Sequence, residues 1–116
     1  MHVSCGLGDA PKSPDEAGPW SDIMRLGIAV KKTVGIPVIG VGGIVEPDLA
    51  EAALAGGLVD LVAVGRGILA DPTWARKALA GEAGAIQPCR HCRICHHFGH
   101  SERCPARQEA AEASAG

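Results

Sequence analysis

Tyrosine is absent from this chain, phenylalanine occurs once (Phe98) and tryptophan twice (Trp20 and Trp74). Without large aromatic anchors, a core here must be assembled from Val, Ile, Leu and Ala. No apolar run is long enough to span a bilayer. No basic flank followed by an apolar stretch opens the sequence, so no secretory signal is visible. Charge of one sign is not in excess either: the formal net charge is −2. That gives no electrostatic reason to expect nucleic acid or a membrane as a partner. A reducing, cytoplasmic setting is the expectation that remains.

Glycine, by contrast, is abundant, with 16 in 116 residues. The glycines fall at the ends of apolar runs, which indicates tight turns or close backbone approach to a ligand. The length suits one domain with a modest core. Cysteine is unevenly placed. Cys5 stands alone and is expected as a small buried residue. Cys89, Cys92, Cys95 and Cys104 gather near the C-terminus. In a reducing compartment such a group indicates a metal site before it indicates disulfides.

Along the chain, His2-Val3-Ser4 looks like the end of a strand running into a glycine turn, and residues 7–20 are loop by composition. Ser21 is a suitable N-cap for a helix with Ile23, Leu26, Gly27 and Val30 on one face and Lys31 and Lys32 in its last turn. Ile36 to Gly43 is a short apolar run ending in glycines, as expected of a strand buried in a parallel sheet. Pro47 opens a helix with Leu49, Ala52 and Ala53 on a common face, and Gly56-Gly57 stops it. A second strand, Val59 to Val64, ends in Gly65-Arg66-Gly67. Asp71-Pro72 then announces a helix over Thr73 to Ala80, stopped by Gly81. The order is strand, helix, strand, helix, strand, helix, a βα repeat with parallel strands. So few strands leave apolar sheet edges unpaired, so the expectation is a piece of something larger.

The strongest chemical signal is Cys89-x2-Cys92-x2-Cys95-x8-Cys104-Pro105. The two short spacings put three sulfurs on one tight turn, able to grip corners of a cuboidal cluster, and Cys104 completes the set. A structural zinc site, also served by four thiolates, is the competing reading. Arg90, Arg93, Arg103 and Arg107 surround the cysteines and would offset an anionic cluster, or else are solvated surface arginines. His91, His96, His97 and His100 are expected beside the ligands or exposed. Gly42-Gly43 and Gly65-Arg66-Gly67 end consecutive strands, where a (β/α)8 barrel forms its phosphate site. Arg66 would add a forked cationic donor there.

Taken together, His2-Val3-Ser4, Ile36 to Ile44 and Asp60 to Pro72 resemble the old yellow enzyme family of NADH:flavin oxidoreductases. The cysteine segment resembles that family's iron–sulfur branch, which includes 2,4-dienoyl-CoA reductase and trimethylamine dehydrogenase. The resemblance implies an α/β fold: residues 1–84 as the C-terminal portion of a (β/α)8 TIM barrel and 85–107 as a [4Fe–4S] segment; residues 108–116, Ala- and Glu-rich with no apolar face, are expected as a frayed helix or a disordered tail. It implies that Gly43, Gly65 and Arg66 contact the FMN phosphate with Gly42 close by. It also implies that Cys89, Cys92, Cys95 and Cys104 hold a [4Fe–4S] cluster exchanging electrons with the flavin. The implied partners are the flavin, NAD(P)H in the complete enzyme, and the remainder of the barrel. No catalytic residue is assigned, because the family's substrate-activating side chains come from earlier strands; His2 and Ser4 are not given that role. Two departures stand out: the x8 spacing before Cys104 is short, and Cys104-Pro105-Ala106 replaces the usual Asn-Pro ending. A zinc-stapled binding module and an inactive truncated product are the alternatives.

Overall fold

The computed structural model describes residues 1–4 and 18–115 and divides into two compact units, Met1–Gly65 and Arg66–Gly116. Cys5, and residues 7–17 of the expected loop, lie outside the described residues.

The first unit is built on two short parallel strands, β1 (Ile39–Val41) and β2 (Leu61–Ala63), paired in the register Ile39 to Leu61, Gly40 to Val62 and Val41 to Ala63. His2 forms a parallel bridge to Ile39, supported by the Ile39 N–H donated to the Met1 carbonyl at 2.7 Å. A helix separates each of these segments from the next, as parallel pairing requires. The strands are shorter than the apolar runs that carry them, and Val38 and Val59, just before each strand, give their side chains to the core.

Helix α1 (Asp22–Lys31) begins where expected. Ser21 has extended backbone angles and its Oγ accepts from the Met24 N–H at 3.2 Å, satisfying one of the N–H groups that a helix start leaves unpaired. Its buried face is Met24, Gly27 and Ile28, whereas Ile23, Leu26 and Val30 are only half-buried. Apolar residues occur at helical spacing on both sides of α1, and Met24 wins the core because its flexible thioether fills the space above Gly40. A Cβ on Gly40 would sit 2.7 Å from the Met24 sulfur and 2.9 Å from Val59 Cγ1. Helix α2 (Pro47–Ala55) has Pro47 at its start and Gly56 at its C-cap, and Gly57 follows at φ +65°. Ala53 is its buried residue and Ala52 is exposed. Met24, Ile28, Val38, Ile44, Ala53 and Val59 form the core. Asp60 closes its edge, accepting from the Val38 N–H at 2.8 Å and the Lys31 ammonium at 2.7 Å. The Lys31 hydrogen bond, then that N–H, hold its carboxyl below the ordinary value.

The second unit holds α3 (Arg66–Ala70), α4 (Trp74–Leu79) and α5 (Pro105–Ala115), with single 3-10 turns at Ala83–Ala85, His96–Phe98 and Ser101–Arg103. One expectation is corrected here. Gly65-Arg66-Gly67 is not simply a strand-end turn, since Arg66 already begins α3. Residues 108–115, expected as a frayed helix or a disordered tail, continue α5; Pro105 starts that helix, and Glu109 bonds to Gln87 and Arg90. Among the described residues no helix is long and apolar enough to cross a membrane.

Candidate functional site

The cysteine segment has little secondary structure of its own, so its shape depends on what anchors it. The first anchor is Asp71, the one charged residue that is buried among those described. It lies between α3 and α4. Its Oδ1 accepts from the Thr73 N–H at 3.0 Å and the Thr73 hydroxyl at 2.7 Å, which starts the turn into α4. Its Oδ2 accepts from the Lys77 ammonium at 2.6 Å and from the Gln87 N–H at 3.0 Å. Burial would by itself raise the Asp71 pKa, but Lys77, the Gln87 N–H and Thr73 together hold it well below the usual carboxylate range. Lys77 also donates to the Ala85 carbonyl at 2.9 Å. Asp71 and Lys77 therefore pin the strand of chain that enters Cys89.

The second anchor is Glu109 on α5. Its carboxylate receives Arg90 Nε at 3.1 Å to both oxygens and the Gln87 side-chain amide at 3.1 Å. The Arg90 hydrogen bond lowers the Glu109 pKa, and Glu109 raises that of Arg90. Gln87 is thus held through its backbone by Asp71 and through its side chain by Glu109. Arg107, in the first turn of α5, donates to the Leu69 carbonyl of α3 at 3.2 Å.

Between these anchors, Cys89, Cys92, Cys95 and Cys104 line one pocket together with Arg66, Leu69, Ala70, Arg90, His96, His97 and Pro105. All four thiols are free and partly buried. His91 adopts φ +51°, a left-handed conformation unusual for a side-chain-bearing residue. This turns its N–H toward Cys89 Sγ at 3.4 Å. Cys104 stands at the start of α5, its carbonyl accepting from the Gln108 N–H at 3.0 Å. The positive end of an 11-residue helix therefore lies beside the fourth sulfur. His97 Nε2 is buried and has no hydrogen-bond partner among the described residues. The pocket is lined by four sulfurs, two guanidinium-bearing residues and two imidazoles, and by no carboxylate. Among the described residues no group of three or more His, Cys, Asp or Glu side chains is gathered to hold a metal ion. The donor set nevertheless fits an anionic thiolate-bound group: sulfur ligands, an N–H to sulfur, a helix N-terminus and cationic neighbours.

The expected phosphate residues show different local reasons for glycine. Gly42 lies at φ +112°, and a Cβ there would fall 2.7 Å from Ser21 Oγ. Ser21 also donates to the Gly42 carbonyl at 2.9 Å, so Gly42 is required by the packing of this turn on α1. Gly43 is exposed at φ +68°. Gly65 is exposed, and a Cβ on it would meet nothing within 4 Å. Gly65 thus leaves its backbone open, whereas Gly42 and Gly43 both turn against Ser21, a Cβ on Gly43 falling 3.3 Å from Ser21 Cβ. Arg66, expected at the phosphate, lines the cysteine pocket of its own unit. Sequence reasoning overlooked Gln87 and Glu109, and it took Asp71 only as a helix start.

Residues 11–83 match the NADH:flavin oxidoreductase / NADH oxidase family. An NADH oxidase of Thermoanaerobacter brockii is 43% identical over 81% of this chain and 15% of its own length. A bilirubin reductase of Mediterraneibacter gnavus is 46% identical over 67% of this chain and 12% of its own. A dimethylamine dehydrogenase of Hyphomicrobium sp. is 28% identical over 77% of this chain and 13% of its own. The chain therefore spans less than a fifth of each of these relatives. No solved structure gives a significant match.

Proposed function

The chain belongs to the NADH:flavin oxidoreductase / NADH oxidase family, and from that premise we propose that it supplies the end of a TIM barrel and the iron–sulfur segment of an FMN-dependent oxidoreductase. Cys89, Cys92, Cys95 and Cys104 hold a [4Fe–4S] cluster, and Gly43, Gly65 and Arg66 contact the FMN phosphate while Gly42 shapes the turn beneath it. The observation that carries the reading is the single pocket lined by all four cysteines and by cations without a carboxylate. An anionic cluster is stabilised in such surroundings.

Bound there, the flavin supplies hydride chemistry with NAD(P)H and the cluster supplies one-electron transfer. The chain's own residues bind and position. His91 offers its N–H to Cys89 Sγ, α5 presents its N-terminus to Cys104, and Asp71 and Glu109 fix the path of the chain into the first sulfur. The exposed backbone at Gly43 and Gly65 allows an anionic oxygen to approach N–H groups without a Cβ in the way. Substrate activation belongs to residues of the remaining barrel.

The test is anaerobic purification followed by an absorbance spectrum and metal analysis. A brown chain whose visible band bleaches in air and which contains iron and sulfide supports the reading. A colourless chain with one zinc, and no iron after reconstitution, overturns it in favour of a zinc-stapled binding module.

A further inference from the structure

We propose that Arg66 is the uncompensated cation of the cysteine pocket, and that with a cluster held there it biases that cluster toward its reduced, more negative state. This rests on the reading above that the four cysteines hold an iron–sulfur cluster. Two arginines line the pocket, Arg66 and Arg90. They are not equivalent. Arg90 is neutralised by Glu109 through paired contacts at 3.1 Å. Arg66 is ion-paired with no acid and hydrogen-bonded to no group among the described residues, and no carboxylate lines the pocket to oppose it. A guanidinium stays charged at any working pH and is only weakly hydrated, so its field on the sulfurs is permanent.

The fold holds Arg66 in place relative to the cysteines. It is the first residue of α3, and Leu69 and Ala70 of the same short helix also line the pocket. The Leu69 carbonyl takes the Arg107 guanidinium of α5. Asp71, the residue that follows α3, is tied to the Gln87 N–H at 3.0 Å, just before Cys89. Both ends of the cysteine segment are thereby fastened to α3.

The electrostatic consequence follows from charge alone. Reduction adds one electron to the cluster with no bond formed or broken, and a nearby fixed positive charge stabilises the more negative product. Net charge near a cluster and its exposure to solvent are among the factors that set its potential. Arg66 is exposed, so water and salt screen its charge and hold the effect well below that of a buried ion. In the complete enzyme the FMN phosphate proposed above offsets part of this charge, so the full effect belongs to the flavin-free chain.

The test is an EPR-monitored redox titration of the reconstituted chain with dithionite, comparing the parent with Arg66→Gln, Arg66→Met, Arg66→Lys and Arg93→Gln. Arg93 lies in the cysteine segment but does not line the pocket. Neutralising Arg66 is expected to lower the reduction equilibrium roughly tenfold, which is about 59 mV for a one-electron couple. Arg66→Lys should retain most of the parent potential, and Arg93→Gln all of it. Parental potentials in both neutral variants overturn the proposal, as does an equal shift in Arg93→Gln. If both neutral variants lose iron while Arg66→Lys keeps it, the charge is upheld; loss from all three overturns it. Failure of the parent itself to take up iron strikes the cluster reading, and iron analysis reports that separately.

Discussion

Replacing Asp71 with asparagine removes one charge and almost no volume, which isolates the role of the carboxylate. In the parent, Oδ2 accepts from the Lys77 ammonium at 2.6 Å and the Gln87 N–H at 3.0 Å. An amide NH2 at that position turns two attractive contacts into donor facing donor. If the amide flips, the clash moves to Thr73, whose N–H and hydroxyl use Oδ1 at 3.0 and 2.7 Å. Breaking a buried ion pair from one side costs about 3–5 kcal/mol. Lys77 retains some access to water, with a side chain 22% exposed, so the lower end, about 3 kcal/mol, is expected. Spread over the unfolding entropy of a chain this size, that lowers the thermal midpoint by roughly 10–12 °C. The effect has a pH signature. The folded Asp71 carboxyl is held below its ordinary value, so its contribution is complete above an unfolded pKa of about 3.9. As pH falls below that, the unfolded chain takes up the proton while the folded one resists, and the stabilisation drains away. The gap between parent and Asp71→Asn should therefore be constant from about pH 5 upward and shrink below about pH 4. Urea titrations at several pH values measure it. A difference under about 0.5 kcal/mol at neutral pH, the range of ordinary surface changes, would refute the clamp.

Three further outcomes follow from the same geometry. Gly42→Ala should destabilise by about 1–3 kcal/mol, because it combines φ +112° with a Cβ 2.7 Å from Ser21 Oγ. Gly65→Ala, with nothing within 4 Å of its Cβ, should stay within about 0.5 kcal/mol of the parent and yet weaken FMN binding in the complete enzyme; urea midpoints and flavin titration separate the two. Cys104→Ser should lower iron uptake and leave urea stability of the metal-free chain nearly unchanged, since its thiol is free and makes no disulfide; unchanged iron content would remove Cys104 from the ligand set.

Local signals were legible in the sequence where one residue suffices. Ser21 caps α1, Pro47 opens α2, Gly56-Gly57 and Gly81 stop helices, and the short glycine-ended apolar runs contain parallel strands. The buried face of α1 was not legible, because apolar residues sit at helical spacing on two sides and only the neighbouring Gly40 decides for Met24. Helix α3 was hidden by the glycines flanking Arg66, which favour reading a turn. Helix α5 has no apolar face to advertise it, and its Glu109 is matched to Arg90 at a separation of 19 residues. The cysteine spacing announced the candidate site, but the anchors that shape it are tertiary. Asp71 reaches Gln87 across 16 residues, and no local pattern encodes that pairing. The residues expected at the flavin phosphate divided once the backbone was seen, since Gly42 and Gly43 answer to Ser21 while Gly65 remains open.

The central claim is that the four cysteines form one iron–sulfur site, and Mössbauer spectroscopy of the chain reconstituted with iron-57 and sulfide under argon addresses it most directly. The expected result is the single averaged-valence iron signature of a cuboidal cluster, with about four irons and four sulfides per chain, lost when Cys89, Cys92 and Cys95 are replaced together. An iron-free chain with zinc bound to the same cysteines, or iron signals that survive that triple replacement, would contradict it.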